Sequence, residues 1–412
     1  MNQIKKLSFQ TLWQLINKAI SSLTTFFILG LIARHYSSSS IGVYTLALTY
    51  LAMFYLLSDF GFNAHVLPFL KQENAQEIWR KLFGLRILWS LLLTVLAVAI
   101  LPLLPFSKGA FPYAVVLGSL AILGNSLFIT ATSVFQSKLS LGLSSMASSL
   151  GIIFMTILMY IFVSSGLPVI FLLLAQTLGW FFTGTFSLVF LGRFYKTITP
   201  LFDFEFMKGF FIETWPISLT LALNLVYFRF DSFVLSSIKS FQDVGVYNIA
   251  YSVFQSALVM PAFIMNGLYP LMVDELHANR SNFFKYFKKA LIYLLGLSVL
   301  GTITTLILAP FIMSLILGRL NTPGAPESLR ILSLGFPVYF LTALFMWTFV
   351  TLKKYKSMAF IYTGGLLLNM ALNLYYIPKY SYIASSWITV ISELLILILQ
   401  IIILVPTLRK LK

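Results

Sequence analysis

The chain has 412 residues, of which 59% are hydrophobic and 10% charged, and its formal net charge is +16. A soluble domain carries roughly 25% charged residues, so this composition excludes an ordinary water-soluble fold and predicts a membrane protein. The chain contains no cysteine, which excludes disulfides, thiolate metal ligands and cysteine catalysis.

Apolar segments of the length that crosses a bilayer, about 20 residues, follow one another along the whole chain. We predict helices because period-2 alternation is absent and because a helix satisfies its own backbone hydrogen bonds in lipid. The fold class predicted is an all-α polytopic membrane protein with twelve spans. These are residues 11–34, 41–59, 83–105, 112–137, 142–163, 167–192, 213–238, 243–270, 287–310, 328–350, 357–377 and 379–405.

The basic residues fit this count of spans. With the N-terminus in the cytoplasm, most Lys and Arg residues fall in segments on the cytoplasmic side, as the positive-inside rule requires. Topology therefore explains the net charge, and no nucleic-acid partner is predicted. The sequence predicts a multi-pass protein of the cell inner (plasma) membrane with both termini in the cytoplasm.

A short internal repeat divides the chain. Ile41-Gly42-Val43-Tyr44 opens span 2, and Val244-Gly245-Val246-Tyr247 opens span 8, about half the chain later. Six spans in each half predict a parallel repeat about an axis along the membrane normal. We expect two six-helix lobes around a central cavity, formed by residues 1–200 and 201–412.

Motifs for catalysis, metal binding or nucleotide binding are lacking, so the sequence predicts no enzyme, no metal site and no bound cofactor. Polar and ionisable residues inside spans are the better guide to function. A charge at a helix centre costs roughly 2.5–3.5 kcal/mol on insertion scales, so such groups usually face protein or a wet cavity.

Spans 1 and 7 carry polar stripes. In span 1, helical spacing places Gln14, Lys18 and Thr25 on one face. That face either lines a cavity where Lys18 meets an anion, or lets Lys18 reach the membrane surface. Span 7 places Asn224, Tyr227 and Asp231 on one face and Arg229 on another. These residues either bind cargo or a coupling ion, or pair with a neighbouring helix.

Three further positions are candidates. Glu393 lies mid-span with Thr389 and Gln400 on one face, and it either carries a proton or Na⁺ or joins two helices. Asp59 ends span 2, where a capping role competes with ion coupling. In span 11, Asn369 and Asn373 share a face and either bind cargo or hold helices together. Pro261 and Pro337 predict kinks in spans 8 and 10.

Several of these segments resemble bacterial polysaccharide flippases. This family of O-antigen and capsule transporters belongs to the multidrug/oligosaccharidyl-lipid/polysaccharide exporter superfamily. The similar stretches are Leu31-Ile32-Ala33-Arg34, Gly42-Val43-Tyr44, Asp59-Phe60-Gly61-Phe62, Arg229-Phe230-Asp231, Val244–Tyr251 and Pro261–Pro270. They cover both halves of the chain. Some members of the family have fourteen spans, whereas this chain has room for twelve.

The resemblance implies a cargo and roles for the candidate residues. The cargo would be an undecaprenyl-pyrophosphate-linked oligosaccharide. Its head group would move through the central cavity while its lipid tail stays in the bilayer. The anionic pyrophosphate suits a cation in a low-dielectric cavity. We expect this residue set: Lys18 and Arg229 for the pyrophosphate, joined by Arg34 and Arg86 near span ends; Thr25, Asn224, Tyr227, Asn369 and Asn373 for sugar hydroxyls; Asp231, Glu393 and Asp59 for H⁺ or Na⁺ coupling. Other polysaccharide-assembly membrane proteins are expected partners.

Two rival functions compete with the flippase. A cation-coupled drug exporter of the same superfamily would favour a carboxylate-lined, aromatic cavity, whereas this chain also has cations inside its spans. A membrane polysaccharide polymerase or glycosyltransferase would need a substantial extramembrane loop. The longest breaks, near 193–212 and 271–286, are modest in length. A scaffold role would leave the polar stripes without a purpose beyond helix packing.

Overall fold

The computed structural model describes residues 3–318 and 324–411 and most of their side chains. All regular structure in this part of the chain is helical, with no strand, so the predicted all-α class is confirmed. The helices are α1 Gln3–His35, α2 Ser38–Asp59, α3 Phe62–Val66, α4 Ala75–Ala99, α5 Phe111–Ser119, α6 Ala121–Ser137, α7 Leu141–Ser164, α8 Phe171–Leu191, α9 Phe204–Ile238, α10 Phe241–Ala257, α11 Val259–Ala278, α12 Arg280–Leu317, α13 Gly324–Ser333, α14 Phe336–Thr351 and α15 Tyr355–Leu411.

The long helices are apolar enough to cross a membrane. Within the described ranges, nine qualify, or ten if the bent pair α13 and α14 forms one span. The last of them, Lys356–Arg409, has 54 residues. At 1.5 Å per residue such a helix is far longer than the roughly 30 Å hydrocarbon core. The exact number of twelve spans stays a prediction.

Helix breaks lie close to the predicted kinks. Helices α10 and α11 are separated at Leu258, three residues before Pro261, and Pro337 lies in the first turn of α14, which bends by 42° from α13. Proline is tolerated in a first turn because the N–H it lacks would have no helical partner there. Ser381, with φ 52° and ψ −137°, interrupts α15 near the predicted boundary between spans 11 and 12.

The internal repeat is visible in local geometry. Ser37 caps α2 by accepting the Ser40 N–H at 3.3 Å, and Ser240 caps α10 by accepting the Asp243 N–H at 3.2 Å. These two serines precede the two copies of the Gly-Val-Tyr motif by the same number of residues. Both halves of the chain therefore start this span with the same cap, a signal that the apolar periodicity alone did not contain.

A second pair of matching turns follows later in each half. Leu139, between α6 and α7, has φ 51°, and Lys353, between α14 and α15, has φ 56°. In each turn the next residue donates its N–H to a carbonyl five positions back, at 2.7 Å in the first turn and 2.9 Å in the second. The turns close their preceding helices in the same way, as a left-handed residue commonly does at a helix end.

The chain divides into two compact units, Met1–Arg229 (unit 1) and Phe230–Lys412 (unit 2). The division lies inside α9. The predicted lobe boundary at residues 200 and 201, and the arrangement of six spans in each lobe, stay predictions.

The linker between α8 and α9 is fastened to α4, which explains why the first part of α9 belongs to unit 1. The Leu201 N–H donates to the Arg80 carbonyl at 2.9 Å, and Arg80 Nε donates to the Thr199 carbonyl at 2.8 Å. Lys81 Nζ lies 3.0 Å from Asp203 Oδ2. The Phe206 N–H, and then Lys81, hold the pKa of the half-buried Asp203 carboxyl below its usual range.

An aromatic core lies beneath this linker. Trp79 stacks on Phe83 with ring centroids 5.1 Å apart, and Phe62 packs on Phe210 and Phe211 of α9. Trp79 and Phe62 are fully buried. Buried aromatic rings such as these supply large contact areas, and they help to hold this end of unit 1 together.

Small residues allow α6 and α8 to approach closely. A Cβ atom added to Gly184 would lie 2.8 Å from the Gly124 carbonyl oxygen and 2.8 Å from Leu127 Cβ. Small residues at helix crossings are the usual means of close packing in membranes, where lipid gives helices no hydrophobic reason to associate.

We therefore expect Gly184→Val to destabilise unit 1 by about 2–3 kcal/mol, because overpacking must push two backbones apart. Thermal unfolding of the purified protein in detergent measures this. Gly296, in α12, has no atom within 4 Å of an added Cβ, so Gly296→Val is the matched control and should leave the melting temperature almost unchanged. Equal melting temperatures for the Gly184→Val variant and the unmodified chain would contradict the close packing.

Candidate ion-coupling and cargo-binding site

Asp231 lies in the second part of α9 and is buried, with 6% of its surface exposed. The Tyr247 hydroxyl donates to Asp231 Oδ2, and the Ser232 N–H donates to Oδ1 at 2.7 Å. Ser232 Oγ in turn donates to Asn248 Oδ1 at 2.9 Å. A buried carboxylate is tolerated only when polar groups compensate for the water it has lost; here Tyr247 of α10 and the Ser232 backbone of α9 supply them.

Tyr247 joins this carboxylate to α15. Its hydroxyl lies 3.0 Å from Thr389 Oγ1, and the Tyr247 side chain is fully buried. Three helices, α9, α10 and α15, therefore meet at one hydroxyl group. The sequence singled out Tyr247 only as part of the repeated motif. Asp231 lies near the end of span 7 and Tyr247 near the start of span 8. This proximity in the sequence was the signal that could have placed Tyr247 in the site.

Glu393 is the second buried carboxylate of unit 2, with 4% of its surface exposed. Thr342 Oγ1, in α14, donates to Glu393 Oε1 at 2.5 Å. Glu393 follows Thr389 by four residues, so both side chains lie on the same face of α15. On that face Thr389 and Glu393 form a buried polar row, one helical turn apart. Thr389 contacts Tyr247, and Glu393 contacts Thr342.

Asn369 and Asn373 lie on the first part of α15 and are buried, with exposed fractions of 5% and 0%. Asn373 Nδ2 donates to Asn369 Oδ1 at 2.8 Å, and Asn369 Nδ2 donates to Ser392 Oγ at 3.2 Å. These contacts join the two parts of α15. Asn369 thus makes the contact between the two parts and Asn373 supports it from the same part, while their predicted contact with sugar stays a prediction.

Asp59 lies in unit 1 and forms an ion pair with Arg86. Arg86 Nη2 is 2.6 Å from Asp59 Oδ1 and 2.9 Å from Asn63 Oδ1. The Arg86 side chain is 1% exposed and the Asp59 side chain 28%. Asp59 also accepts the Asn63 N–H at 3.4 Å, just beyond the end of α2. The structure therefore gives Asp59 a partner on α4 that the sequence did not predict.

The predicted cargo-binding residues of α1 lie on the surface of unit 1. Lys18, Thr25 and Arg34 are exposed, and Thr25 Oγ1 donates to the Ser21 carbonyl at 2.7 Å. Their helix packs through a different face, where Ser149 Oγ of α7 donates to Asn17 Oδ1 at 2.9 Å. Arg229 is half-buried. The side chains of Asn224 and Tyr227 lie outside the described part of the chain.

The structure thus brings some candidates together and separates others. Asp231 and Glu393 share unit 2, where Tyr247 joins Asp231 to Thr389, one helical turn from Glu393 on α15, whereas Asp59 belongs to unit 1. In the described ranges no three acidic or histidine residues form a metal-binding group. The carboxyl, hydroxyl and amide oxygens of unit 2 have the chemistry to exchange a proton or hold a hard monovalent cation.

Comparison with known sequences shows the family. The sequence model of the family described as "Polysaccharide biosynthesis protein" matches residues 4–275, more than half of the chain. The chain belongs to the polysaccharide biosynthesis protein family. The predicted membership of the polysaccharide flippases is thereby confirmed. A second family model, MatE, matches residues 216–375 of this polysaccharide biosynthesis protein.

A curated relative and several solved structures agree with this assignment. A Shigella dysenteriae protein named "Putative O-antigen transporter" is 23% identical over 345 residues, which cover 82% of this chain and 84% of the relative. The lipid II flippase MurJ, in an inward closed conformation, has a TM-score of 0.79 at 14% identity over 96% of this chain and 87% of its own. An inward-facing MATE multidrug transporter has a TM-score of 0.78 at 13% identity, covering 95% of each chain. The polysaccharide biosynthesis protein therefore has the fold of the exporter superfamily.

Proposed function

We propose that this protein flips an undecaprenyl-pyrophosphate-linked oligosaccharide from the cytoplasmic to the outer leaflet of a bacterial inner membrane. The name of the Shigella relative and the flippase fold of MurJ support the cargo class. The observation that carries the proposal is the buried row of carboxyl and hydroxyl groups in unit 2, because such a row suits cation coupling and is costly for a purely structural helix. The protein makes and breaks no covalent bond.

Movement would follow alternating access by two six-helix lobes around a central cavity, with both chain termini in the cytoplasm. Lys18, Arg34 and Arg229 would attract the pyrophosphate, and Thr25, Asn224 and Tyr227 would meet sugar hydroxyls. The exposure of Lys18, Thr25 and Arg34 on the surface of unit 1 supports this assignment. A cargo that binds one state of the transporter more tightly than the other shifts the equilibrium between them.

Asp231 and Glu393 would couple that movement to a cation gradient. Each carboxyl group is buried and accepts hydroxyl hydrogen bonds, from Tyr247 and from Thr342. Taking up H⁺ or Na⁺ neutralises a charge whose burial is costly, so cation binding changes the relative stability of the two transport states. Asp59 is less suited to this role because Arg86 already neutralises it.

Vesicles containing the purified protein test the proposal directly. We expect a fluorescent undecaprenyl-pyrophosphate oligosaccharide to become accessible on the opposite leaflet only when the protein is present. Lys18→Ala and Arg229→Ala should each slow this movement about 10-fold, the loss of one charge-assisted contact. Lys138→Ala removes an exposed cation in the turn after α6 and serves as the control. Cargo movement indifferent to both Lys18 and Arg229 would overturn the pyrophosphate assignment.

A cation-coupled multidrug exporter is the second candidate. The MatE match over residues 216–375 and the MATE fold favour it. The same vesicles separate the two functions, because an exporter moves organic cations against a gradient and leaves the lipid-linked cargo on one leaflet. Chemical turnover of the lipid-linked sugar in that assay would instead support a polymerase or glycosyltransferase.

A further inference from the structure

Of the four buried side-chain donors in the described part of unit 1 that have no acceptor, two belong to neighbouring side chains; the other two are Arg86 Nε and the Tyr195 hydroxyl. The Trp180 indole N–H, on α8, and the Tyr55 hydroxyl, on α2, are buried and make no hydrogen bond. Their rings touch, with centroids 5.8 Å apart and planes inclined by 56°. The two unsatisfied groups therefore lie in one place.

Several indole and phenol groups in the same unit have acceptors, whereas the Tyr195 hydroxyl has none. Trp79 Nε1 donates to the Thr130 carbonyl at 3.0 Å, Trp89 Nε1 donates to the Leu57 carbonyl at 2.8 Å, and the Tyr50 hydroxyl donates to the Ala97 carbonyl at 2.7 Å. An indole N–H can only donate, so Trp180 cannot be satisfied by turning its ring. Buried donors without partners are uncommon and costly, and a conspicuous pair calls for an explanation.

The surroundings indicate what would satisfy the pair. Gln176 lies one turn before Trp180 on α8, and its side chain is beside the Tyr55 hydroxyl without a hydrogen bond of good geometry. Phe128 of α6 adds a third ring, 6.0 Å from Trp180. Two donors, an amide and several aromatic faces fit a neutral ligand with many acceptor oxygens and apolar ring faces, which describes a sugar.

We propose that Tyr55, Gln176 and Trp180 form a sugar-binding subsite in unit 1 that recognises the oligosaccharide of the cargo. The inference rests on the proposed flippase function. In the arrangement that the structure shows, the Tyr55 and Trp180 donors are buried away from any ligand and have no acceptor. This raises the free energy of that arrangement. A sugar that supplies acceptor oxygens favours an arrangement in which the donors are open, so the glycan itself helps to drive the change of state.

Conservative substitutions separate this role from a structural one. Trp180→Phe and Tyr55→Phe remove only the donors and keep the rings. We expect each to lower kcat/KM for the oligosaccharide-bearing lipid about 10-fold, the effect of losing one hydrogen bond to cargo. Movement of undecaprenyl pyrophosphate without sugar should not change. Thermal stability should stay the same or rise, because no satisfied bond is lost. Trp79→Phe is the control, and it should lower stability without distinguishing the two lipids.

A binding measurement keeps the test independent of transport. The free oligosaccharide, without lipid, should change the tryptophan fluorescence of the unmodified protein, and this change should be lost in Trp180→Phe. Unaltered fluorescence, or equal losses for lipids with and without sugar, would overturn the subsite and would mean that ordered water satisfies the donors. Failure of the unmodified protein to move either lipid would instead defeat the proposed flippase function, and the fluorescence result would still decide the sugar site.

Discussion

Replacing Arg86 with methionine is expected to destabilise unit 1 by about 3 kcal/mol, since removing one partner of a buried ion pair leaves the other charge uncompensated. Asp59 would lose its 2.6 Å contact, and Asn63 would lose the donor that holds it beside α4. The effect falls at the low end of the usual range because 28% of the Asp59 side chain still reaches the surface. Thermal unfolding in detergent should show a fall of about 6–12 °C.

A double variant identifies the cause of that loss. Asp59→Asn combined with Arg86→Met removes both charges and should be more stable than Arg86→Met alone, because no unpaired charge remains. Lys138→Met, at an exposed position, should leave the melting temperature unchanged. If the double variant is as unstable as the sum of its single variants, the pair contributes no coupling and packing of the Arg86 stem explains the loss.

Asp231→Asn should abolish transport driven by a cation gradient, with a fall of about 100-fold in the driven rate. Asparagine has nearly the same shape and can still accept from Tyr247, but it cannot take up a proton or neutralise a bound cation. Glu393→Gln should act in the same way beside Thr342. The measurement is the rate of lipid-linked oligosaccharide movement in vesicles, with and without an imposed H⁺ or Na⁺ gradient.

A second assay without an ion gradient separates loss of coupling from loss of cargo movement. Both variants should still equilibrate cargo between leaflets without a gradient, because their cargo contacts are untouched. Glu205→Gln, which changes an exposed carboxylate at the start of α9, should behave like the unmodified protein. Gradient-driven transport that survives in both Asp231→Asn and Glu393→Gln would remove these carboxylates from the coupling mechanism.

The sequence predicted the features that depend on one helix at a time. Apolar length and basic loops placed most of the spans, and Pro261 and Pro337 marked two helix breaks. The prediction that Asp231 and Glu393 lie inside spans followed from the same reading, since one charged residue in an apolar run is visible without any tertiary information.

Contacts between helices could not be predicted from the pattern of single helices. Arg86 contacts Asp59 at a sequence separation of 27 residues, and Glu393 contacts Thr342 at a separation of 51. Tyr247 contacts Thr389 at a separation of 142 residues. Helical periodicity fixes the face on which a side chain lies and leaves open which helix that face meets. The hydrogen bond from the Thr342 hydroxyl to Glu393 is such a contact, because nothing in the pattern of either helix points to the other.

The matching turns at Leu139 and Lys353 show how a helix end is closed without glycine. Each residue adopts a left-handed backbone that glycine or asparagine normally occupies, and neither position holds either of those residues. The N–H that follows each turn closes the preceding helix, so the helix end rather than the side chain fixes this conformation. Glycine at either position should therefore relieve backbone strain, whereas a β-branched residue should add to it.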